Sequence, residues 1–547
     1  MKNWLQIDDL DNVAVALSTL SEGHEINFSG KIFSLKEQVR TKHKFALKNI
    51  KKDEALIMFG AKVGFAVVDI QAGSALTVDN IRPGRSDILQ WSQNTYSWQK
   101  PDTTESPKYW NGYRRENGSF GTRNHWLVIP LVFCENHHVE ILRESLEEAL
   151  GYGTRKKRAF NISPLIAAVN EGANAEEIKA ISIESFQSKD HHNRVFKNID
   201  GVKFITHQTG CGGTRSDSDM FVELVVSYLL NPNCAGATIL SLGCQNAQMN
   251  QVQDRLYQRA PEYSRPVVWC EEQSFEGEDA FLMEAISKTM AGLVDANKCM
   301  RTKAPISALT LGLECGGSDG FSGISANPLL GKISDQIVAQ GGNAILSEFP
   351  ELNGVEEDLV NRCMNQEDAN RFIRLMKAYE KHAIDAGSSF DANPSPGNIA
   401  EGLLTGAMKS AGAARKAGSA PITSVLDYSE IPVKQGLHLL CTPGNDVEST
   451  TALAGSGSNL IVFTTGLGTP TGNPLTPVVK VSSNTTLAFK MPHLIDFDAG
   501  DIIGGHDVES LTSDFFCFLV DVASGRPTKS EINGQDDFIP WKRDISL

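Results

Sequence analysis

Leu311-Gly-Leu-Glu-Cys-Gly-Gly-Ser-Asp-Gly-Phe-Ser-Gly-Ile-Ser-Ala-Asn-Pro328 is the stretch on which the reading of this chain turns. An apolar run over residues 306–313 has the length and composition of a short buried strand, and it stops at Glu314-Cys315. Small residues, a carboxylate and further Gly and Ser follow before anything bulky returns. Glycine accepts backbone angles that other residues refuse, so such a loop lets backbone N–H groups approach a ligand closely. Cys315, Ser318 and Asp319 are therefore expected at the mouth of a strand, where open α/β sheets bind their ligands.

The strand–loop–helix rhythm recurs along the chain. Residues 126–133 form a near-continuous apolar run, the pattern of a strand buried on both faces, and residues 139–150 have helical spacing. Runs over 202–206, 237–242 and 266–269 each lead towards a turn that carries cysteine, and 343–347, 436–441 and 459–463 repeat the pattern. That alternation predicts α/β domains with mostly parallel sheets. Before residue 90, the runs at 26–35, 43–47, 55–59 and 64–68 are short and partly alternating, which predicts a small β-rich unit. Between 91 and 109 the composition shifts to Ser, Gln, Asn, Thr, Pro and Lys, as in a linker.

At 547 residues the chain has room for about three domains. The expected division is 1–92 for the β unit, 93–108 for the linker, 109–298 for a middle α/β domain and 299–547 for a C-terminal one. A formal net charge of −15 argues against a nucleic-acid or anionic-membrane partner. There is no secretory n-region and no run of about 18 apolar residues, so a cytoplasmic location is expected. Ten scattered cysteines without paired spacing read as free thiols in a reducing compartment.

Polar residues of catalytic type cluster at the strand ends. His207-Gln-Thr-Gly-Cys211-Gly-Gly-Thr-Arg215 puts a His and a Cys, suited to a borderline transition metal, beside an Arg suited to a carboxylate. Ser241-Leu-Gly-Cys244 is a second such end. Residues 463–473 and the Pro-rich turn 391–398 are further polar loops. No Walker loop and no Gly-x-Gly-x-x-Gly fingerprint is placed for a nucleotide or nicotinamide cofactor. Taken alone, the residues indicate an enzyme with a polar, polyol-friendly cleft and leave the presence of a metal open.

The motifs together resemble the altronate/galactarate dehydratase family over nearly the whole chain. They include Gly121-Thr-Arg-Asn124, His207-Gln-Thr-Gly-Cys211, Leu242-Gly-Cys244, the opening stretch, Glu348-Phe-Pro-Glu351, Asn393-Pro-Ser-Pro-Gly-Asn398, Thr442-Pro-Gly-Asn-Asp446 and Phe538-Ile-Pro-Trp-Lys-Arg543. The local pattern is closer to the altronate than to the galactarate enzymes. His43-Lys-Phe-Ala-Leu47 and Phe59-Gly-Ala-Lys-Val-Gly64 are similar to the small SAF (β-clip) domain of such enzymes. The resemblance implies a β-clip domain followed by two α/β domains, and dehydration of a sugar acid, D-altronate in the first place, to 2-dehydro-3-deoxy-D-gluconate. It implies a divalent metal, Fe2+ in the better-known members, and a sugar-acid substrate; the oligomeric state is left open, a homodimer being one option.

Within that scheme the expected catalytic residues are His207, Cys211 and Asp319. The expected metal ligands are His207, Cys244 and Cys315. Arg123 and Arg215 are expected to grip the substrate carboxylate, while Ser318, Asn327, Asn398 and Asn445 meet its hydroxyls. Two departures from the family pattern stand out. A Val-His-Thr-His-Asn segment of the small domain is replaced by Leu76-Thr-Val-Asp-Asn80, and the Glu that usually follows Cys244 is Gln245. Both remove groups that bind metals or titrate. Alternatives are a lyase acting on galactarate or a sulfolactate-like acid, and a non-catalytic sugar-acid binding protein.

Overall fold

Strand His125–Pro130 shows how alternation builds the layers of the computed structural model, which describes residues 3–84, 91, 96–153, 158–187 and 194–544. All six of its residues are buried. Trp126 and Val128 pack into one layer with Val139, Leu142, Phe281 and Leu293, whereas Leu127 and Ile129 pack into the other with Phe221, Val225 and Val252. Side chains alternate along a strand, so a run apolar on both faces needs helices on both sides. Helices Asn136–Leu146 and Glu278–Ala296 supply the first layer; Arg215–Leu230 and Met249–Arg259 supply the second. Close approach of the Trp126 ring requires two glycines, because a Cβ on Gly236 or Gly292 would stand 2.6 or 2.2 Å from it.

The four strands of this middle sheet are all parallel, in the order Gly201–Phe204, His125–Pro130, Cys234–Ser241, Val267–Glu271. A second parallel sheet has seven strands, in the order Ile422–Leu426, Gly436–Leu440, Asn343–Leu346, Thr310–Cys315, Leu460–Thr465, Val478–Ser482, Phe497–Asp498. From Thr310–Cys315 the chain goes first to one side, through Asn343–Leu346, and later to the other, through Leu460–Thr465. The topological switch point therefore lies between Thr310–Cys315 and Leu460–Thr465, and crevices at such points take ligands. Strand Arg301–Pro305 pairs antiparallel with Tyr109–Arg114, so the start of the second α/β unit is stitched to the start of the first.

The N-terminal unit is built of small antiparallel sheets, with Ile26, Leu35, Val39 and Phe45 among the residues of its own core. Lys44 is fully buried and donates to the Gly402 carbonyl at 2.7 Å, while Lys42 pairs with Asp319 at 2.9 Å. Those contacts dock the unit on the larger α/β body. Tyr96, in the expected linker segment, donates to the Ser419 carbonyl at 2.7 Å; residues 93–95 of that segment lie outside the described residues.

Two local expectations change. The apolar run 306–313 is not one strand: Ile306–Ala308 forms a 3-10 turn after Pro305, and the strand is Thr310–Cys315. The run 26–35 is a hairpin, Glu25–Phe28 with Lys31–Ser34, because Ser29 and Gly30 both take positive φ. Among the described residues no helix is long and apolar enough to cross a membrane.

Candidate active site

Glu314, Glu348 and Asp446 converge at the carboxyl end of the seven-stranded sheet. Glu314 is the penultimate residue of its strand, Glu348 follows the neighbouring strand Asn343–Leu346, and Asp446 opens helix Asp446–Gly455. One carboxylate oxygen from each lies within 4.8 Å of the other two. Gly316 makes this possible, since a Cβ there would stand 2.3 Å from Asp446 Oδ2. Glu348 holds a φ of 67°, an uncommon setting for a residue with a side chain and one often found at functional sites.

The hydrogen bonding is incomplete in a specific way. Glu314 Oε2 accepts from Ser347 Oγ at 2.8 Å and Ser449 Oγ at 2.5 Å. Glu348 Oε2 accepts from Lys416 Nζ at 2.9 Å and from the Cys315 amide at 3.2 Å. Oε1 of Glu314 and Oε1 of Glu348 are both buried with no partner among the described residues. Burial, and then the facing Glu348, pushes the Glu314 carboxyl well above its usual range. Asp446 is pushed up to about 6 by burial and then by Glu348. Buried carboxylates with open oxygens require a proton or a cation between them. A set made only of carboxylate oxygens suits a hard divalent ion such as Mg2+ or Mn2+.

Two buried lysines flank the trio in different states. Lys416 Nζ contacts Cys315 Sγ at 2.8 Å as well as Glu348. Burial opposes its charge, but Cys315 and Glu348 outweigh that and hold its pKa up. Lys480, in strand Val478–Ser482, has no partner for Nζ among the described residues and lies 3.6 Å from the centroid of the Phe463 ring. Burial brings its pKa down to about 7, against the pull of Asp446. Farther out, Lys409 bridges Glu351 at 2.7 Å and Asn393 at 2.9 Å.

The residues singled out from sequence fall in several places. Cys315 joins the acidic site, where burial and then Glu348 push its thiol up. Ser318, Asp319, Asn327 and Asn398 are together in the glycine-rich loop region, but their polar atoms hold the loop itself. Asp319 accepts from Ser322, Ser483, Asn484 and Lys42; Asn327 joins Thr464 to Gly412; Asn398 Nδ2 donates to the Ser318 carbonyl. Asn445 caps helix Asp446–Gly455 and so positions Asp446.

Arg123 is buried and spends its guanidinium on Glu531 and on the carbonyls of Thr122, Val522 and Arg526. His207 is likewise committed to the fold: Nε2 meets the Pro130 carbonyl at 2.7 Å, and Nδ1 accepts from the Thr209 amide at 3.1 Å. Burial brings its pKa down to about 4. Both ring nitrogens are thus engaged within the fold at the residue expected as base or metal ligand. Cys211, Cys244 and Arg215 lie at the middle sheet, exposed.

Three family models match in succession: the altronate/galactarate dehydratase SAF domain over residues 2–83, the second domain of D-galactarate dehydratase/altronate hydrolase over 112–297, and the C-terminal domain of D-galactarate/altronate dehydratase over 306–546. The altronate dehydratases of Bacillus subtilis and Escherichia coli are each 33% identical to this chain over 550 residues, covering 100% of both partners. The chain belongs to the altronate/galactarate dehydratase family. A third relative, the (2R)-sulfolactate sulfo-lyase subunit beta of Chromohalobacter salexigens, is 27% identical over 78% of this chain and 96% of its own length.

In this dehydratase-family chain the two departures are absorbed by local hydrogen bonds. Asn80 accepts from the Thr77 amide at 2.9 Å and donates to the Ala75 carbonyl, closing a turn in place of the usual histidine segment. Gln245 is buried, accepting from the Gly243 amide at 2.8 Å and donating to Ser241 Oγ at 2.6 Å. A carboxylate could do the first and not the second unless the serine donated instead. The site residues missed from sequence are Glu314, Glu348, Asp446, Lys416 and Lys480. The three acids stand in quoted motifs that assigned them no role, whereas Lys480 stands inside an apolar strand, where only its charge marks it.

Proposed function

We propose that the chain is a metal-assisted hydro-lyase converting a sugar acid, D-altronate, to 2-dehydro-3-deoxy-D-gluconate and water. The observation that carries this reading is the Glu314–Glu348–Asp446 trio with its two open buried oxygens. These three residues would hold the divalent ion. When bound, it would act as a Lewis acid that steadies the negative charge developing on the substrate carboxylate as the C2 proton leaves.

The proton chemistry falls to Lys480. Its buried Nζ has no partner among the described residues and a pKa near neutrality, which leaves an uncharged amine available as a base. The C2 proton passes to Nζ and the C2–C3 double bond forms as the C3–O bond breaks. The departing hydroxyl leaves as water, taking a proton from the Nζ ammonium. The enol then becomes the ketone by protonation at C3 and loss of the C2 hydroxyl proton. Lys416 and Cys315 keep Glu348 in place, and Lys409 with Glu351 and Asn393 completes a polar wall suited to hydroxyl groups. This assigns the metal and the base to the C-terminal sheet instead of His207.

Anaerobic turnover of an aldonate and aldarate panel with added Fe2+ or Mn2+ tests the reading. Formation of the 2-keto-3-deoxy acid from D-altronate, abolished by chelator, is the expected result. Turnover of galactarate or sulfolactate but not altronate would overturn the substrate assignment. Inactivity on all three would overturn the enzymatic one.

A further inference from the structure

Three cysteines stand at one end of the middle sheet, outside the acidic site. Cys134 follows strand His125–Pro130, Cys211 follows Gly201–Phe204 and Cys244 follows Cys234–Ser241; these are three adjacent parallel strands with the first in the centre. All three thiols are free and exposed. Their loops are tied to one another by backbone bonds: the Phe133 amide donates to the Thr209 carbonyl at 3.0 Å, and the Asn246 amide to the Gly210 carbonyl at 3.3 Å. Gly210 lies against the segment leading to Cys134 so closely that a Cβ would stand 2.3 Å from the Leu131 carbonyl. Cys134 is felt by both partners: partial burial, and then Cys211 and Cys244, push its thiol up.

The arrangement is selective about what it can hold. A single tetrahedral ion at about 2.3 Å from each sulfur would draw the sulfurs to within about 4 Å of one another. The compact groups of ligand atoms within 4.8 Å among the described residues are the acidic trio and Glu135–His138–Glu272, and the three sulfurs do not form one. Neighbouring strands lie about 4.8 Å apart, which spreads ligands carried on three of them. A cluster that brings its own iron and sulfide between the thiolates fills that wider triangle. Two nearby imidazoles are already engaged by the fold: His207 has both ring nitrogens on the Pro130 carbonyl and the Thr209 amide, and His138 has both on Glu135 and Glu278. Cys211 also borders a cleft whose walls include Gly213, Asn246 and Trp541, giving space beside the triangle.

We infer that Cys134, Cys211 and Cys244 bind an iron–sulfur cluster of the [4Fe–4S] class through three thiolates, with the fourth iron open to the cleft. Such an iron takes an oxygen ligand, a hydroxide or the carboxylate and hydroxyl of a hydroxy acid. The site is independent of the Glu314–Glu348–Asp446 trio and stands or falls without it.

The test is to isolate the full chain anaerobically and measure iron, acid-labile sulfide and visible absorption, alongside Cys134→Ser, Cys211→Ser and Cys244→Ser. The exposed Cys517 provides the control, Cys517→Ser. Expected are equal amounts of iron and sulfide, a visible absorption bleached by dithionite, and loss of most of the sulfide in each of the three variants but not in the control. Iron or zinc without acid-labile sulfide in the wild-type protein, or no metal at all after anaerobic reconstitution with Fe2+ and sulfide, would overturn it. So would a cluster retained in full by all three variants. The wild-type measurement decides even where a variant fails to fold, and chelation of the acidic site leaves it unaffected.

Discussion

Glu314 and Glu348 face each other from adjacent strand ends, each with one carboxylate oxygen satisfied by the fold and one buried oxygen without a partner among the described residues. The satisfied oxygens hold both side chains still: Ser347 and Ser449 fix Glu314, while Lys416 fixes Glu348. The open ones are placed to take a proton or the proposed cation. This is a preorganised site, in which the cost of crowding two carboxylates is met by rigid neighbours before a ligand arrives.

Lys480→Met removes the proposed base while keeping a side chain of similar length in the strand. Proton transfer by a positioned group contributes about 100-fold or more, so kcat is expected to fall at least that far with KM little changed. Steady-state kinetics with thermal denaturation as a folding control check this. An unchanged kcat would remove Lys480 from the mechanism.

Arg123→Ala tests whether that arginine serves the fold or the substrate. Its donors are used by Glu531 and three carbonyls, so the loss should appear in stability. Breaking a buried ion pair by removing one partner costs about 3–5 kcal/mol, measurable by chemical denaturation. Where folded protein remains, KM is expected to stay within a few-fold.

The same ion pair sets an acid limit. Burial opposes the charge on Glu531, but Arg123 overcomes it and brings the pKa down to about 2. A folded pKa below the ordinary value means that the stabilisation is present above pH about 4.5 and is lost as pH falls towards 2. Glu531→Gln is expected to flatten the stability profile in that window.

Buried neutral histidines add a milder acid sensitivity at higher pH. Burial lowers His207 to about 4, and burial with Lys434 lowers His438 to about 4. Between pH about 6.5 and 4 the unfolded chain binds protons that the folded chain refuses, so stability should fall as pH drops through that range. Denaturant unfolding at several pH values measures the slope, and His207→Gln should reduce it.

Much of the architecture was legible because apolar runs buried on both faces are distinctive. Trp126 through Ile129 and Leu460 through Phe463 announce parallel strands without help from any neighbour. The hairpin around Ser29-Gly30 was hidden in a run long enough to pass for one strand. The Gly-rich loops stand at strand ends as the sequence suggests, but residue type alone does not tell which side chains the fold engages. His207 and Arg123 look catalytic in sequence, yet backbone carbonyls and Glu531 consume their donors. Conversely, Glu314, Glu348 and Asp446 are far apart in sequence, and only the strand order brings them together. Cys134 carries no motif of its own; its meaning comes from standing between Cys211 and Cys244.

The most direct test of the metal-assisted reading is a Mn2+ titration of chelator-treated protein, followed by electron paramagnetic resonance and paired with turnover. Wild-type protein is expected to bind one Mn2+ tightly per chain and to regain activity with it. Glu314→Gln and Glu348→Gln should each lose both binding and turnover while remaining folded. Tight Mn2+ binding and full turnover surviving in both variants would contradict the placement of the metal at this site.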